Sequence, residues 1–219
     1  MDLIIGNAGG NFQMKVSEQE PAEMYYADFD NNGSMDPVIF YYIQDTLRPL
    51  ASRDEMLDQM ISLRKKFPDY YTYAKATVND TLTPEQQQQA GKLEAVRFET
   101  SCLENKGDHF EFKPLPAEAQ FSPVAGITVL DYDGDGNEDV ILGGNVYHSR
   151  IRFGKMDANY GMLLRGDGRG RFTYVPQWQS GLSVHGDVCD IVNYKNDSGS
   201  FLIFAINQQA AKAYKLNRK

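Results

Sequence analysis

Short apolar runs separated by glycine-containing turns cover most of the chain and predict β-strands. The runs GITVL (126–130) and VILGG (140–144) are rich in β-branched residues and flank a polar turn. Two further segments, LENKGDHFEFKP (103–114) and LLRGDGRGRFTYVP (163–176), alternate apolar with polar residues around such a turn, which is the pattern of a β-hairpin. The chain is therefore predicted to be all-β and built from short antiparallel strands.

A helical pattern interrupts these strands over about residues 43–92. SRDE at 52–55 matches a capping box, with Ser52 as the N-cap and Glu55 at position N3. Thr83 and Pro84 begin a second short helix that ends at Gly91. Apolar residues recur at helical spacing after the capping box: Met56, Leu57, Met60, Ile61 and Phe67. We expect a helical insertion packed on the β-structure; the alternative is a partner-binding surface.

Two nine-residue segments place oxygen-bearing side chains at alternate positions: DFDNNGSMD (28–36, the first loop) and DYDGDGNED (131–139, the second loop). Ca²⁺ takes about six to eight oxygen ligands, and a short loop supplies them when every second side chain turns inward. Position six is a glycine that allows a sharp turn, and position seven offers its backbone carbonyl. The predicted ligands are Asp28, Asp30, Asn32, Ser34 and Asp36 in the first loop, and Asp131, Asp133, Asp135, Asn137 and Asp139 in the second.

The loops are not EF-hands, although the spacing of their first residues is the same. An EF-hand needs a bidentate glutamate at position twelve, where this chain has Ile39 and Leu142, and it needs flanking helices instead of strands. A metal-free turn rich in aspartate and glycine is the alternative. The second loop offers four carboxylates at ligand positions and the first offers three, so we expect the second to bind calcium more tightly. Affinities of about 0.1 to 1 mM, typical of extracellular modules, are expected.

Composition and charge narrow the class of protein. With 42% hydrophobic and 12% aromatic residues, the 219-residue chain is expected to form one or two packed domains. The net charge of −8 argues against nucleic acid or an anionic membrane as partner and agrees with bound cations. No apolar run approaches the length of a membrane span, and no signal peptide is recognisable at the N-terminus. Cys102 and Cys189 are expected to be buried thiols.

Parts of the chain repeat one another. MDLIIGN (1–7) aligns with EDVILGGN (138–145), so that Asp2 matches Asp139, and residues 126–145 align with 186–207. In the third copy the acidic loop has become YKNDSGS (194–200), without predicted metal ligands. Each copy is interpreted as a four-stranded antiparallel sheet, and such sheets in tandem suggest a propeller. The predicted blades are 1–23 (the tail of a truncated blade), 24–124 (with the helical insertion), 125–184, and 185–219 (a degenerate blade).

The acidic loops, the hairpin GDGRGRF (166–172) and the run SGLSVHGDVCDI (180–191) resemble FG-GAP/VCBS repeat proteins, in particular those of ASPIC/UnbV type, over nearly the whole chain. The resemblance implies a β-propeller with calcium at the acidic loops and a secreted or cell-surface location. Asn32, a glycine missing before His109, and the lost third loop depart from the family pattern. We expect the chain to be the C-terminal portion of a longer repeat protein, with exposed strand edges through which the isolated fragment self-associates.

No arrangement outside the loops predicts catalysis. His109, His148 and His185 fall in turns and connections, without a nucleophile or a paired carboxylate beside them. Residues 145–161 mix basic and aromatic side chains, which suits either a glycan or peptide contact or a solvated connection. RGD at 165–167 resembles an adhesion motif, but its position in the hairpin turn explains the glycine and the aspartate. The predicted function is a calcium-binding scaffold or binding module for protein or glycan, located outside the cell, in the periplasm or on the cell surface. The alternative is a non-catalytic accessory part of a larger secreted enzyme.

Overall fold

The computed structural model describes residues 1–216 and is built mainly from antiparallel strands. Fourteen strands lie within these residues: β1 (Leu3–Ile5), β2 (Ala22–Ala27), β3 (Asp36–Ile43), β4 (Thr46–Pro49), β5 (Gly91–Ala95), β6 (Ser101–Asn105), β7 (Phe110–Pro114), β8 (Val124–Leu130), β9 (Asp139–Gly144), β10 (Met162–Gly166), β11 (Phe172–Val175), β12 (Val188–Asn196), β13 (Gly199–Ile206) and β14 (Lys212–Lys215). They form four antiparallel sheets, none of which closes on itself within the described residues. The expected all-β class is therefore confirmed.

The helices are short, and most of them lie between β4 and β5. The α-helices are α1 (Arg53–Gln59), α2 (Tyr70–Tyr73), α3 (Val78–Thr81), α4 (Pro84–Gln89) and α5 (Gln177–Ser180). Three further segments are 3₁₀-helices: Ile61–Lys65, Ala117–Gln120 and Ile151–Phe153. Of the helices within residues 1–216, none combines the length and the apolar character needed to cross a membrane.

The chain divides into two compact units. Unit 1 contains Met1–Gln13 together with the chain from Phe98 onward, and unit 2 contains Met14–Arg97. Unit 1 holds three sheets: sheet A in the order β1-β6-β7, sheet B in the order β11-β10-β9-β8, and sheet C in the order β12-β13-β14. Unit 2 holds sheet D, in the order β4-β3-β2-β5.

Sheets A and B share the same strand register. Leu3 of β1 lies opposite Leu103 of β6, as Val140 of β9 lies opposite Leu164 of β10. On the next strand, Leu103 and Leu164 lie opposite Phe112 and Tyr174. Strands β1, β6 and β7 thus correspond in order to β9, β10 and β11, as the alignment of residues 1–7 with 138–145 requires.

Glycine allows sheets B and C to pack closely. A Cβ atom on Gly126 would lie 3.1 Å from the backbone carbon of Asp190, and one on Gly143 would lie 2.7 Å from a methyl carbon of Val188. The backbone of β12 therefore lies close to Gly126 of β8, its Val188 side chain lies close to Gly143 of β9, and Ile191 joins the apolar core there. This core includes the buried residues Leu130, Ile141, Leu163, Val184, Val188, Ile191, Leu202 and Phe204.

Unit 2 has an apolar core of its own, to which the predicted helices contribute. Ser52 forms the expected capping box with Glu55, whose carboxylate accepts the Ser52 backbone N–H at 2.8 Å. Thr83 caps α4 in the same way. Ile61 is 65% exposed, contrary to the apolar stripe predicted for it, because α1 ends at Gln59 and a 3₁₀-helix changes the helical phase. The buried members of this core are Tyr25, Phe29, Val38, Phe40, Met56, Met60, Phe67, Tyr73, Ala76 and Leu82.

The predicted insertion at 43–92 contains two strands as well as helices. Strand β4 pairs with β3, and β5 pairs with β2, so both belong to sheet D. Lys92 of β5 forms ion pairs of 2.8 Å with Glu94 and 3.0 Å with the buried Glu23 of β2. Burial alone lowers the pKa of Lys92, but these carboxylates outweigh it and raise the pKa above its ordinary value. Strands β4 and β5 pair with β3 and β2, which lie outside the segment with the helical pattern. The sequence of that segment alone therefore did not indicate these two strands.

The structure divides the predicted blade 24–124 between the two units. The first loop and sheet D lie in unit 2, whereas the hairpin of β6 and β7 pairs with β1 in unit 1. Strand β1 is separated from β6 by the whole of unit 2, so adjacency along the sequence did not indicate this pairing. Unit 2 has one apolar core and unit 1 has two others, and this separation of the cores accounts for the division.

Two smaller expectations about unit 1 are resolved by strand geometry. Cys102 is buried as expected, but Cys189 is exposed, because it lies at a register shift of β12 between Val188 and Asp190, where it has no partner on β13. In the third repeat, β12 and β13 are joined by a turn of two residues where the other copies carry an acidic loop. Residues 217–219 of the predicted blade 185–219 lie outside the described residues.

Candidate metal centres

Each acidic loop connects two neighbouring antiparallel strands. The first loop joins β2 to β3 in unit 2, and the second joins β8 to β9 in unit 1. The last residue of each loop, Asp36 or Asp139, is also the first residue of the following strand and is buried. The strands therefore hold both ends of each loop, as the sequence predicted.

The backbones of the two loops follow the same path. Positions four and six have positive φ in both loops: 59° at Asn31 and 79° at Gly134, then 86° at both Gly33 and Gly136. A Cβ atom added to Gly33 or Gly136 would meet nothing within 4 Å, so the positive φ, and not lack of space, favours glycine there. This confirms the turn predicted at position six.

The carboxylate at position one is bound by backbone N–H groups from the far side of its loop. Asp28 accepts the N–H of Asn32 at 3.0 Å on one oxygen and that of Gly33 at 2.9 Å on the other. Asp131 accepts the N–H groups of Asp135 and Gly136 in the same way, both at 3.1 Å. The chain is thereby wrapped around the first carboxylate of each loop.

Positions three and five are held by shorter turns. Asp30 and Asp133 each accept the backbone N–H two residues later, at 3.2 and 3.3 Å. Asn32 accepts the N–H of Ser34 at 2.7 Å, and Asp135 accepts that of Asn137 at 2.8 Å. The carbonyl oxygens of Ser34 and Asn137 stay predicted ligands.

The aspartate at position nine reaches back across its loop. Asp36 accepts the N–H of Phe29 at 3.0 Å, and Asp139 accepts that of Tyr132 at 2.9 Å. The second oxygen of Asp139 accepts the N–H of Gly166, on the neighbouring strand β10, at 2.9 Å. Burial raises the pKa of Asp139, although these N–H groups oppose the shift, and the charges of nearby aspartates add to it. A cation beside Asp139 would favour its charged form.

Three carboxylates converge in each loop. Oxygen atoms of Asp28, Asp30 and Asp36 lie within 4.8 Å of one another, as do those of Asp131, Asp133 and Asp139. Calcium–oxygen distances of roughly 2.4 Å place two ligand oxygens of one ion at most about 5 Å apart. The all-oxygen donor sets and their spacing therefore fit one hard cation in each loop.

An arginine that the ligand pattern did not include contacts the second loop. Arg165 of β10 places its Nε 3.0 Å from Oδ2 of Asp133 and its Nη2 2.8 Å from Oδ2 of Asp135. Two contacts lower the pKa of Asp135. The larger effect comes from the backbone N–H of Asn137, and the second comes from Arg165. Asp135 lies outside the cluster of three carboxylates. In the sequence, the only indication of this contact was the arginine of the RGD sequence. The pairing of β10 with β9 is what brings Arg165 next to the second loop.

The RGD sequence at 165–167 has internal partners at both charged ends. Arg165 pairs with the second loop, and Asp167 accepts the backbone N–H groups of Arg169 at 2.8 Å and Arg171 at 3.1 Å. These N–H groups, Arg169 first, lower the pKa of Asp167. The arrangement agrees with a role in the hairpin turn.

Two of the histidines and the loop 145–161 contact neighbouring residues of unit 1. His109 lies beside Asp108 in the β6–β7 turn, and the ring of His185 contacts that of Tyr160 at a tilt of 52°, with centroids 4.7 Å apart. The loop 145–161 is held at its ends by the buried Asn145, whose amide donates to Asn159 O at 2.6 Å and Gly186 O at 2.9 Å. This network fixes the base of the loop.

A cavity of about 480 Å³ lies next to the second loop within unit 1. Ile4, Val129 and Val140 contribute apolar walls, and residues 136–138 of the loop form part of its rim. The cavity therefore shares a wall with the predicted calcium site.

Comparison of the chain with protein-family models, curated proteins and solved structures gives no match.

Proposed function

We propose that the chain is a calcium-binding repeat module of FG-GAP/VCBS type, which serves as a binding or scaffold domain and has no catalytic role. The observation that carries the proposal is the equivalence of the two acidic loops. They lie in different units, yet they share the same φ pattern, the same N–H bonds to positions one, three, five and nine, and the same cluster of three carboxylates. A metal-free turn has no need to gather three like charges at its centre.

In this proposal each loop surrounds one Ca²⁺. The first loop provides its three aspartates, Asn32 and the Ser34 carbonyl, and the second provides its four aspartates and the Asn137 carbonyl. The bound ion supplies positive charge that offsets the repulsion between the carboxylates. The chain's own N–H groups hold Asp28 and Asp131 in place before any ion binds, so little ordering of the loop is needed. The buried Asp36 and Asp139 connect each site to the first residue of a strand. Calcium is thus proposed to stabilise the β2–β3 and β8–β9 pairs.

The repeat architecture is supported by a contact in sheet A. Asp2 accepts the N–H of Asn105 at 3.0 Å, as Asp139 accepts that of Gly166 at 2.9 Å in sheet B. Asp2 thus takes the place of a position-nine aspartate, as the alignment of residues 1–7 predicted. We propose that sheets A, B and C are successive blades of a propeller, and that unit 2 is an insertion that carries a calcium loop of its own.

The proposed partners are a protein or a glycan outside the cell, in the periplasm or at the cell surface. Millimolar calcium in such places would fill sites of the expected affinity. Ile151, which is 100% exposed, lies in the basic loop 145–161, and Trp178 on α5 is 81% exposed; both offer contact area in unit 1. The second candidate function is a non-catalytic accessory part of a larger secreted enzyme, for which the cavity beside the second loop offers a ligand-binding surface.

Calorimetric titration with Ca²⁺ tests the proposal. We expect two binding events, of which Asp30→Ala removes one and Asp133→Ala the other, because each change removes a carboxylate from a different loop. Asp58→Ala, at an exposed position of α1, is the matched control and should keep both. Calcium at roughly 100 times its Kd should stabilise the protein by about 2.7 kcal/mol. An absence of binding heat, together with a melting temperature that chelator leaves unchanged, would refute the proposal.

A further inference from the structure

The second loop differs from the first in that a cation of the protein already contacts it. Arg165 bridges Asp133 and Asp135, which are two of its predicted ligands. We infer that Arg165 is a built-in counter-cation which calcium must displace, and that it raises the calcium concentration at which the second loop fills. This inference rests on the calcium-binding function proposed above.

The oxygens that Arg165 contacts are those that the loop backbone leaves open. In both aspartates Oδ1 accepts a loop N–H, at 3.3 Å for Asp133 and 2.8 Å for Asp135. The guanidinium takes Oδ2 of each. Its side chain is 50% exposed, and those of the two aspartates are 24% and 27% exposed. The contact is therefore partly exposed to solvent, where a dissolved ion can compete with the guanidinium.

The first loop offers the comparison. Within residues 1–216 no lysine or arginine pairs with Asp28, Asp30 or Asp36, and position five is the neutral Asn32. The three ligand carboxylates of the first loop carry a charge of −3, while the four ligand carboxylates of the second loop and Arg165 sum to −4 + 1 = −3; Glu138, which is not a predicted ligand, is outside this sum. Arg165 thus cancels the carboxylate that was expected to make the second loop the tighter site.

Arginine suits this role because of its shape and its single charge. Its planar fork holds Nε and Nη2 in fixed directions, so that one guanidinium donates to both carboxylates with little further ordering. One positive charge relieves the repulsion between Asp133 and Asp135 and keeps the empty loop folded, whereas a divalent ion gives a stronger attraction at the same distance. The second loop should therefore exchange one cation for another instead of forming only when calcium arrives.

Amide resonances allow the two loops to be followed separately in the full chain. The N–H of Gly33 donates to Asp28, and that of Gly136 donates to Asp131, so each reports on its own loop. Titration with Ca²⁺ should move both. In Arg165→Gln we expect the Gly136 transition at roughly tenfold lower calcium, because one competing charge is gone. Arg165→Lys should fall between the wild type and Arg165→Gln, and the Gly33 transition should stay unchanged in all variants.

Arg169→Gln is the matched control, since it removes the same charge from the same hairpin; it should leave both transitions in place. The Nε–H resonance of Arg165 should also shift in step with Gly136 as the ion pairs break. If Gly136 responds at the same calcium concentration in the wild type and Arg165→Gln, or at a higher one in the variant, the inference is wrong while calcium binding stands. If neither glycine responds in any of the proteins, calcium binding fails and the inference fails with it.

Discussion

Asp139 differs from the other predicted ligands of its loop because it is buried and serves the strands as well as the site. Its two oxygens accept the N–H groups of Tyr132 and Gly166, and so connect the start of the loop to strand β10. The side chain of Asp133, by contrast, is partly exposed and contacts the loop backbone and Arg165. The structural role of Asp139 should therefore persist without calcium.

In chelator, Asp139→Ala should destabilise unit 1 and Asp133→Ala should not. The first change leaves two N–H groups without their acceptor, at a cost of about 1–3 kcal/mol for each buried group. The second removes one of several crowded negative charges, so the free energy of unfolding should change little. Urea denaturation in EDTA measures both, and equal effects of the two substitutions would contradict this assignment.

Glu104 of β6 should contribute to the acid sensitivity of sheet A. Its ion pairs with Lys106, at 2.8 Å, and Lys113 lower the pKa of Glu104 to about 2. Because this folded-state pKa lies below the unfolded value of about 4.3, the stabilisation is complete above that pH. It should be lost as the pH falls from about 4.3 to about 2.

Denaturation at several pH values in EDTA tests this with Glu104→Gln. The wild type should be the more stable protein above pH of about 4.5, and the difference should disappear toward pH of about 2. Glu118→Gln, which lacks such ion pairs in the described part of the chain, is the control and should show no such window. A difference that persisted unchanged at the acid end would argue against the ion pairs as its cause.

At the scale of elements, local capping and distant strand pairing have different origins. Helix α1 begins where Ser52 and Glu55 satisfy each other's backbone N–H groups, within four residues of sequence. In sheet A, in contrast, Leu3 pairs with Leu103, although all residues of unit 2 lie between them in the sequence. Both kinds of contact define secondary-structure elements, but only helix capping can be recognised from a short stretch of sequence.

Removal of the Ser52 side chain should weaken unit 2 by about 1 kcal/mol, the usual effect of losing an N-cap. Ser52→Ala removes the acceptor of the Glu55 N–H. Ser62→Ala, at an exposed position of the following 3₁₀-helix, makes the same chemical change without a cap and should have a smaller effect. Thermal unfolding of both variants provides the comparison, and similar shifts would show that the capping box is unimportant.

At the scale of the whole molecule, unit 2 is inserted into the chain of unit 1. Unit 1 holds its own chain together at the insertion point, since the N–H of Gly9 donates to Phe98 O at 2.7 Å. The rings of Phe12 and Phe98 also pack edge to face, with centroids 5.4 Å apart. The chain ends that flank unit 2 are therefore close to each other.

Replacement of residues 14–97 by a short glycine–serine linker should leave unit 1 folded, because the two ends are close and its cores lie within the unit. The shortened protein should keep the calcium response of Gly136. The amide spectrum should superimpose on the unit 1 signals of the full chain, with the full chain as control. Collapse of the spectral dispersion would show that unit 1 depends on unit 2.

The amino-acid sequence by itself determined the features that depend on a few neighbouring residues. These were most of the strands, the capping box at Ser52, and the two acidic loops, with glycine at position six, where φ is positive. Such features follow from local hydrogen bonds and backbone conformation, which spacing reveals. Only the tertiary structure decided that β1 pairs with β6, that residues 14–97 form a unit of their own, and that Arg165 reaches the second loop. Those contacts depend on strand register and packing between distant segments, and no short pattern records them.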